Sequence, residues 1–197
     1  MSTSDVWAIT PSTDDDRYRA DASISGAGAL TLITNDAGVN GIGYKVGITS
    51  TGNDTGITFT IVGHKVGDLT GTATTEVVTG ADTAAATSTN FYAYIESITA
   101  SGASAGNVKI GTTGSLALPR TRIRGFQYVA AASAGSVVFN LNSTSGAEIL
   151  KVNTPAGATI TQQMSIPGAG ILTTRGSNTD FAIMTLTQVS LITVFRG

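Results

Sequence analysis

Cysteine is absent from this 197-residue chain. Disulfides and thiolate metal sites are therefore excluded, and stability has to come from packing and hydrogen bonding. Charge is scarce as well: 12% of residues are Asp, Glu, Lys or Arg, against about 25% in an average globular protein. There is one histidine and one tryptophan, which leaves little for acid–base or zinc chemistry. No apolar run approaches the ~20 residues that span a bilayer. Met1 to Thr13 lacks a basic segment followed by an apolar one, so the expectation is a soluble protein without a signal peptide and with no membrane partner. Helix signals are nearly absent. Exposed neutral β-structure invites edge-to-edge association, so the composition fits either a surface covered by partners or a Thr-rich secreted domain.

What the chain does have is strand signal, recurring from about residue 28 with Gly, Asn and Ser turns at the ~8–12-residue spacing of sandwiches and barrels. In Gly56–Val62, Ile57, Phe59 and Ile61 share one face and Thr58 and Thr60 the other. Further strands are expected at Ala29–Thr34, Tyr44–Thr49, Thr74–Thr79, Phe91–Thr99, Asn107–Gly111 and Thr121–Ala131. Beyond these come Ser136–Leu141, Ala147–Val152, Ala158–Ser165, Thr179–Leu186 and Val189–Phe195. Ala81–Asn90, rich in Ala and Thr, is the one place where a helical turn is expected. Two similar stretches, Ala103–Ile110 and Ala132–Phe139, each read as a hairpin around a small-residue turn.

The expected fold class is all-β: one or two small antiparallel sandwich-like or jelly-roll-like modules behind an extended N-terminal arm. Pro119 lacks a ladder donor, which sets boundaries of 1–22 for the arm, 23–118 for the first module and 119–197 for the second. Residues 1–118 hold 5 basic and 11 acidic side chains, and residues 119–197 hold 6 basic and 2 acidic. Opposite balances suit contact between copies or are a merely solvated asymmetry. With no periodic apolar pattern in the arm, a chain lacking residues 1–20 is expected to fold.

Catalytic signals are weak. His64 sits in Val62-Gly63-His64-Lys65 and reads as a solvated loop histidine, with no Gly-x-Ser-x-Gly elbow to serve. A carbohydrate-active surface enzyme would need two facing carboxylates, and nothing in the spacing of Asp54, Asp68, Glu76, Asp82, Glu96, Glu148 and Asp180 pairs them. Asp14-Asp15-Asp16 lacks the alternating ligands of a calcium loop and reads as a solvated acidic run. No catalytic residue, metal or cofactor is assigned, and the chain is read as a non-enzyme.

Two interaction features stand out. Arg120-Thr121-Arg122-Ile123-Arg124 alternates so that Arg120, Arg122 and Arg124 share one strand face, able to grip carboxylates or phosphates. A net charge of −2 and a pI near 5.2 argue against nucleic acid and for an acidic protein surface. Trp7, with Val6 and Ile9, is either an anchor in a neighbour's groove or part of the chain's own core. The last strand carries large apolar groups on both faces, Leu191 and Phe195 on one, Ile192 and Val194 on the other. That pattern needs a second covering layer, so self-association is expected, with a trimer favoured.

Gly52–Ile61, followed by Glu76–Gly80 and Ser97–Gly102, resembles a module of phage virion proteins. The second half is similar to small β domains of marine and cyanobacterial phage structural proteins. That similarity lies in Arg124-Gly125-Phe126, Ala134–Phe139, Leu150–Pro155, Ile166–Leu172 and Val189–Gly197. The resemblance implies a bacteriophage structural protein located in the virion, working as a capsid decoration or cement protein through contacts with major capsid proteins. The alternative is a tail- or fibre-associated structural protein contacting tail proteins. It implies no catalytic residue.

Overall fold

The computed structural model describes residues 6–9, 13–37, 41–67, 71–143, 145–157, 161–172 and 181–196, and among them there is no helix. The strands begin with β1 (Val6–Ile9), β2 (Arg19–Ser23), β3 (Gly28–Ala29), β4 (Gly43–Ser50), β5 (Thr58–Lys65) and β6 (Thr74–Thr79). Next come β7 (Ala85–Thr87), β8 (Tyr92–Ala100), β9 (Asn107–Leu118), β10 (Arg122–Ala130) and β11 (Gly135–Leu141). The series ends with β12 (Glu148–Thr154), β13 (Thr161–Ser165), β14 (Ile171–Leu172), β15 (Ala182–Thr187) and β16 (Val189–Arg196). The chain is all-β and its antiparallel sheets are not closed. It divides into two compact units, Thr13–Gly114 and Met1–Ser12 with Ser115–Gly197.

In the unit spanning residues 13–114, the order β9-β4-β8-β5-β6 is extended by β2 on β9, β3 on β8 and β7 on β4. The period-2 pattern of β5 puts Phe59 and Ile61 fully inside, opposite Ala100 and Ile98 of β8. Tyr18, Val46, Ile48, Ile95, Val108 and Ile110 complete the middle of that core. Opposite Val62-Gly63 the β8 ladder skips Glu96, a bulge that shifts the parity of the strand so that Ile95 and Ile98 are both buried while Tyr94 and Glu96 are exposed.

The second unit is sandwich-like. One sheet has the order β1-β16-β10-β13, with β14 also on β10, and the other runs β12-β11-β15 with Leu116–Leu118 of β9 paired to β15. Phe126 of β10 meets Phe139 of β11 at 5.9 Å between ring centroids, and both are fully buried. Leu116, Ala117 and Leu118 are buried too, and β9 stops just before Pro119, where the donor runs out.

Three expectations need correction. Ala81–Asn90 contains β7 rather than a helical turn, because Gly47, Ile48 and Thr49 offer it a ladder. Neither small-residue stretch makes a hairpin, since β4 lies between β8 and β9 and the strands β10 and β11 belong to different sheets. The small residues are needed for close backbone approach: a Cβ on Gly106 would lie 2.5 Å from the Gly52 nitrogen, and one on Gly135 would strike the Thr187 carbonyl. His64 lies within β5, not in a loop.

The stretch 1–22 is tied down at two points. β1 pairs with β16, Ile9 opposite Ile192, and Ile9 and Tyr18 are both fully buried. Truncation is therefore costly. Deleting residues 1–10 is expected to lower the melting temperature, with Ile9→Ala alone costing about 2–5 kcal/mol; an unchanged melt would contradict the pairing. Tyr18 gives a sharper test, because its hydroxyl has no hydrogen-bond partner among the described residues. Tyr18→Phe is expected to change urea stability by less than about 1 kcal/mol or to raise it, while Tyr18→Ala costs about 3–5 kcal/mol.

Candidate interaction surfaces

Strand β10 presents the arginines. Arg122 and Arg124 are exposed with Ile123 buried between them, and Arg120 is exposed just ahead of the strand. The β10–β16 register shifts between Ile123 and Gly125, so the bulge falls beside Arg124. A Cβ on Gly125 would lie 2.5 Å from the Met164 carbonyl, which explains the glycine there. The Arg122 and Arg124 Nη1 atoms donate to the carbonyls of Ala169 and Gly168 at 3.4 and 3.5 Å. The backbone of Trp7 pairs with Val194. Its side chain, read as an anchor, lies outside the described residues.

In β16, Ile192 and Val194 are fully buried, whereas Leu191 is 38% exposed and Phe195 half-buried on the other face. Leu191 sits opposite Val129, and Phe195 opposite the bare backbone of Gly125. Other large apolar side chains at the surface are Ile33 at 66%, Val77 at 60% and Tyr94 at 45% exposure.

Two of the acidic side chains, Asp54 and Glu76, serve the backbone. Asp54, 2% exposed, accepts from the Ser50 hydroxyl and, at 2.6 Å, from the Ala105 amide. That one carboxylate ties two loops of the 13–114 unit together. Glu76, the lone charge of β6, accepts from the Thr89 and Asn90 amides, the Asn90 side chain and the Tyr92 hydroxyl. Burial acts to raise the Glu76 pKa, but these hydrogen bonds outweigh it and hold the carboxyl below its ordinary value of 4.5. Burial, with Glu76 beside it, pushes the Tyr92 hydroxyl well up. His64 Nε2 lies 2.9 Å from Glu96 Oε1 and its ring leans on Tyr94.

The acidic run gains partners that its spacing did not reveal. Arg17 pairs with Asp14 at 3.3 Å and Lys109 with Asp15. Lys109 lies in the field of Asp15, Asp21 and Asp16 together. Among the described residues, no group of three or more His, Asp or Glu could hold a metal ion. The patch was half legible, as an Asp triplet, but its lysine comes some ninety positions later through the β2–β9 pairing. Glu76 had a signal too: a single charge in a Thr/Val strand needs either water or several donors.

Comparison with protein-family models, with curated proteins and with solved structures finds no match to this chain.

Glu76 supplies a pH test. A carboxyl with a depressed folded pKa contributes stability that is present above the unfolded value and lost as pH falls through the folded value. Wild type is expected to exceed Glu76→Gln by roughly 1 kcal/mol near neutrality. The gap should close on acidification below pH 4.5. Urea midpoints measured across that range check it, and a pH-independent gap would remove the charge from the explanation.

Proposed function

We propose that this chain is a structural protein of a phage particle, a capsid decoration protein that stabilises the shell by burying surface against shell subunits and copies of itself. The observation that carries the reading is an open all-β surface that is poor in charge. Strands β1, β13, β12 and β6 end their sheets, large apolar side chains stand on sheet faces, and only 12% of residues are charged. A monomer with such edges risks indiscriminate pairing; a subunit of an assembly covers them. The resemblance of the ordered segments between residues 52 and 197 to phage virion modules supplies the class of assembly.

The reading assigns no chemistry to the chain. Its carboxylates at Asp54 and Glu76 are engaged by backbone donors, so they serve as loop locks in this account. Self-association as a trimer fits the local threefold positions of an icosahedral shell.

Light scattering on the purified protein is expected to give a closed oligomer, with a trimer ahead of a dimer. Quantitative mass spectrometry of purified particles should count copies in proportion to the shell subunits. A few copies per particle would move the protein to the tail, and a chain that is monomeric both in solution and on the particle would overturn the reading.

A further inference from the structure

The two units carry opposite charge and each keeps charged groups without a counterpart. Residues 13–114 hold 5 basic and 10 acidic side chains, and the remaining residues hold 6 basic and 3 acidic. On the basic side, neither Arg122 nor Arg124 has a carboxylate partner among the described residues. Their guanidinium groups are nonetheless steered. Gly168 and Gly170 take φ of 69° and 77°, a conformation that glycine adopts without strain. A Cβ on Gly170 would lie 2.5 Å from the Ile123 carbonyl, so this turn is pressed onto β10. It aims the carbonyls of Gly168 and Ala169 at Arg124 and Arg122. Each contact is long and uses one donor of the five on the side chain. Both side chains are exposed on the same face of β10, with donors left for a partner.

On the acidic side, Asp15, Asp16 and Asp21 are exposed around the single ammonium of Lys109. Lys109 pairs with Asp15, and neither Asp16 nor Asp21 has an ion pair within 4 Å among the described residues. Arg19, nearby, spends its guanidinium on the carbonyls of Ala22, Ser23 and Val108. Those carbonyls are neutral, so Arg19 keeps its charge in the field of Asp21; with Asp14, Asp15, Asp16 and Asp21 set against Arg17, Arg19 and Lys109, the patch keeps one negative charge in excess.

We propose that Arg122 and Arg124 of one copy dock on the Asp15, Asp16 and Asp21 patch of a second copy, a head-to-tail contact between unlike units. This rests on the assembly reading above and names its contact. The surfaces are complementary in sign, and Arg is suited to planar, bidentate recognition of carboxylates. A heterologous contact of this kind generates a ring when its rotation closes, which accommodates a trimer. The net charge of −2 disfavours a free polyanion as the occupant, whereas the acidic patch is supplied by every copy at equal concentration.

The test is sedimentation velocity at low and high salt with two charge-reversed chains, Arg122→Glu/Arg124→Glu and Asp16→Lys/Asp21→Lys. All four side chains are exposed, and thermal melts confirm that both variants fold. Wild-type association is expected to weaken with salt, and each variant alone to associate at least roughly tenfold more weakly than wild type. An equimolar mixture of the two should recover the contact as mixed complexes in which the variants alternate, two-chain species or even-numbered rings rather than a trimer, because the Glu strip matches only the Lys patch and the Arg strip only the Asp patch. Association that ignores salt and both variants would overturn the contact while leaving the assembly reading standing. A wild-type chain that is monomeric throughout, in solution and on particles, would overturn both. If instead the arginine variant keeps self-association but loses binding to a short single-stranded DNA probe, the strip reads a polyanion and the contact is again overturned.

Discussion

Backbone amides and carbonyls that leave water must find partners, and where no helix forms those partners lie on other segments of the chain. Here the first strand closes on the last, Val6 opposite Phe195 and Ile9 opposite Ile192, and β2 meets β9 across most of the 13–114 unit. Loops are held to the same requirement. Asp54 satisfies the Ala105 amide, Glu76 the amides of Thr89 and Asn90, and Arg19 a set of carbonyls around β2. Glycines at Gly52, Gly106 and Gly135 stand where backbones come too close for a side chain. Three of the chain's charged side chains, Asp54, Glu76 and Arg19, thus complete its own backbone pairing.

That use of charge shapes the surface. With Asp14, Asp15, Asp54, Glu76 and Glu96 engaged, the exposed charges without an ion pair among the described residues include two like-signed pairs. Arg122 and Arg124 stand on one unit, Asp16 and Asp21 on the other. Each unit also has neutral strands rich in Thr, Ser and Val, with Val77 of one and Leu191 of the other partly out in solvent. Such a surface has weak resistance to association and a polarity that gives association a direction. Both properties suit a subunit that is covered in use.

The parts of this structure that follow from local pattern were legible in the sequence. Strict alternation in β5 set its buried face correctly, with Phe59 and Ile61 inward, and Pro119 marked the end of β9; in β10 it placed Ile123 opposite the arginines, but the bulge beside Arg124 changes the parity, so that Phe126 and Tyr128 are buried as well. Strand β2 escaped because Arg-Ala-Asp-Ala-Ser has no apolar face: its residues are mostly exposed, and the burial comes from the flanking Tyr18 and Ile24. Strands β7 and β14 are too short for a period to show. Pairing partners escaped for a deeper reason. The hairpin reading of Ala103–Ile110 was sound turn chemistry, but turn residues report a reversal of the chain and not which strand takes the adjacent place in the sheet. The arginine strip was readable from alternation alone, whereas Lys109 joined the acidic patch only through long-range pairing.

The proposal that the chain is a shell-covering subunit of a phage particle is tested most directly by a cryo-electron microscopy map of phage particles produced from a genome that encodes it. The predicted result is density for repeated symmetric clusters of the two-unit β structure over the capsid joints, with Arg122 and Arg124 facing the Asp16 and Asp21 region of a neighbouring copy. Particles whose shell and tail can be fully traced without this chain would contradict it.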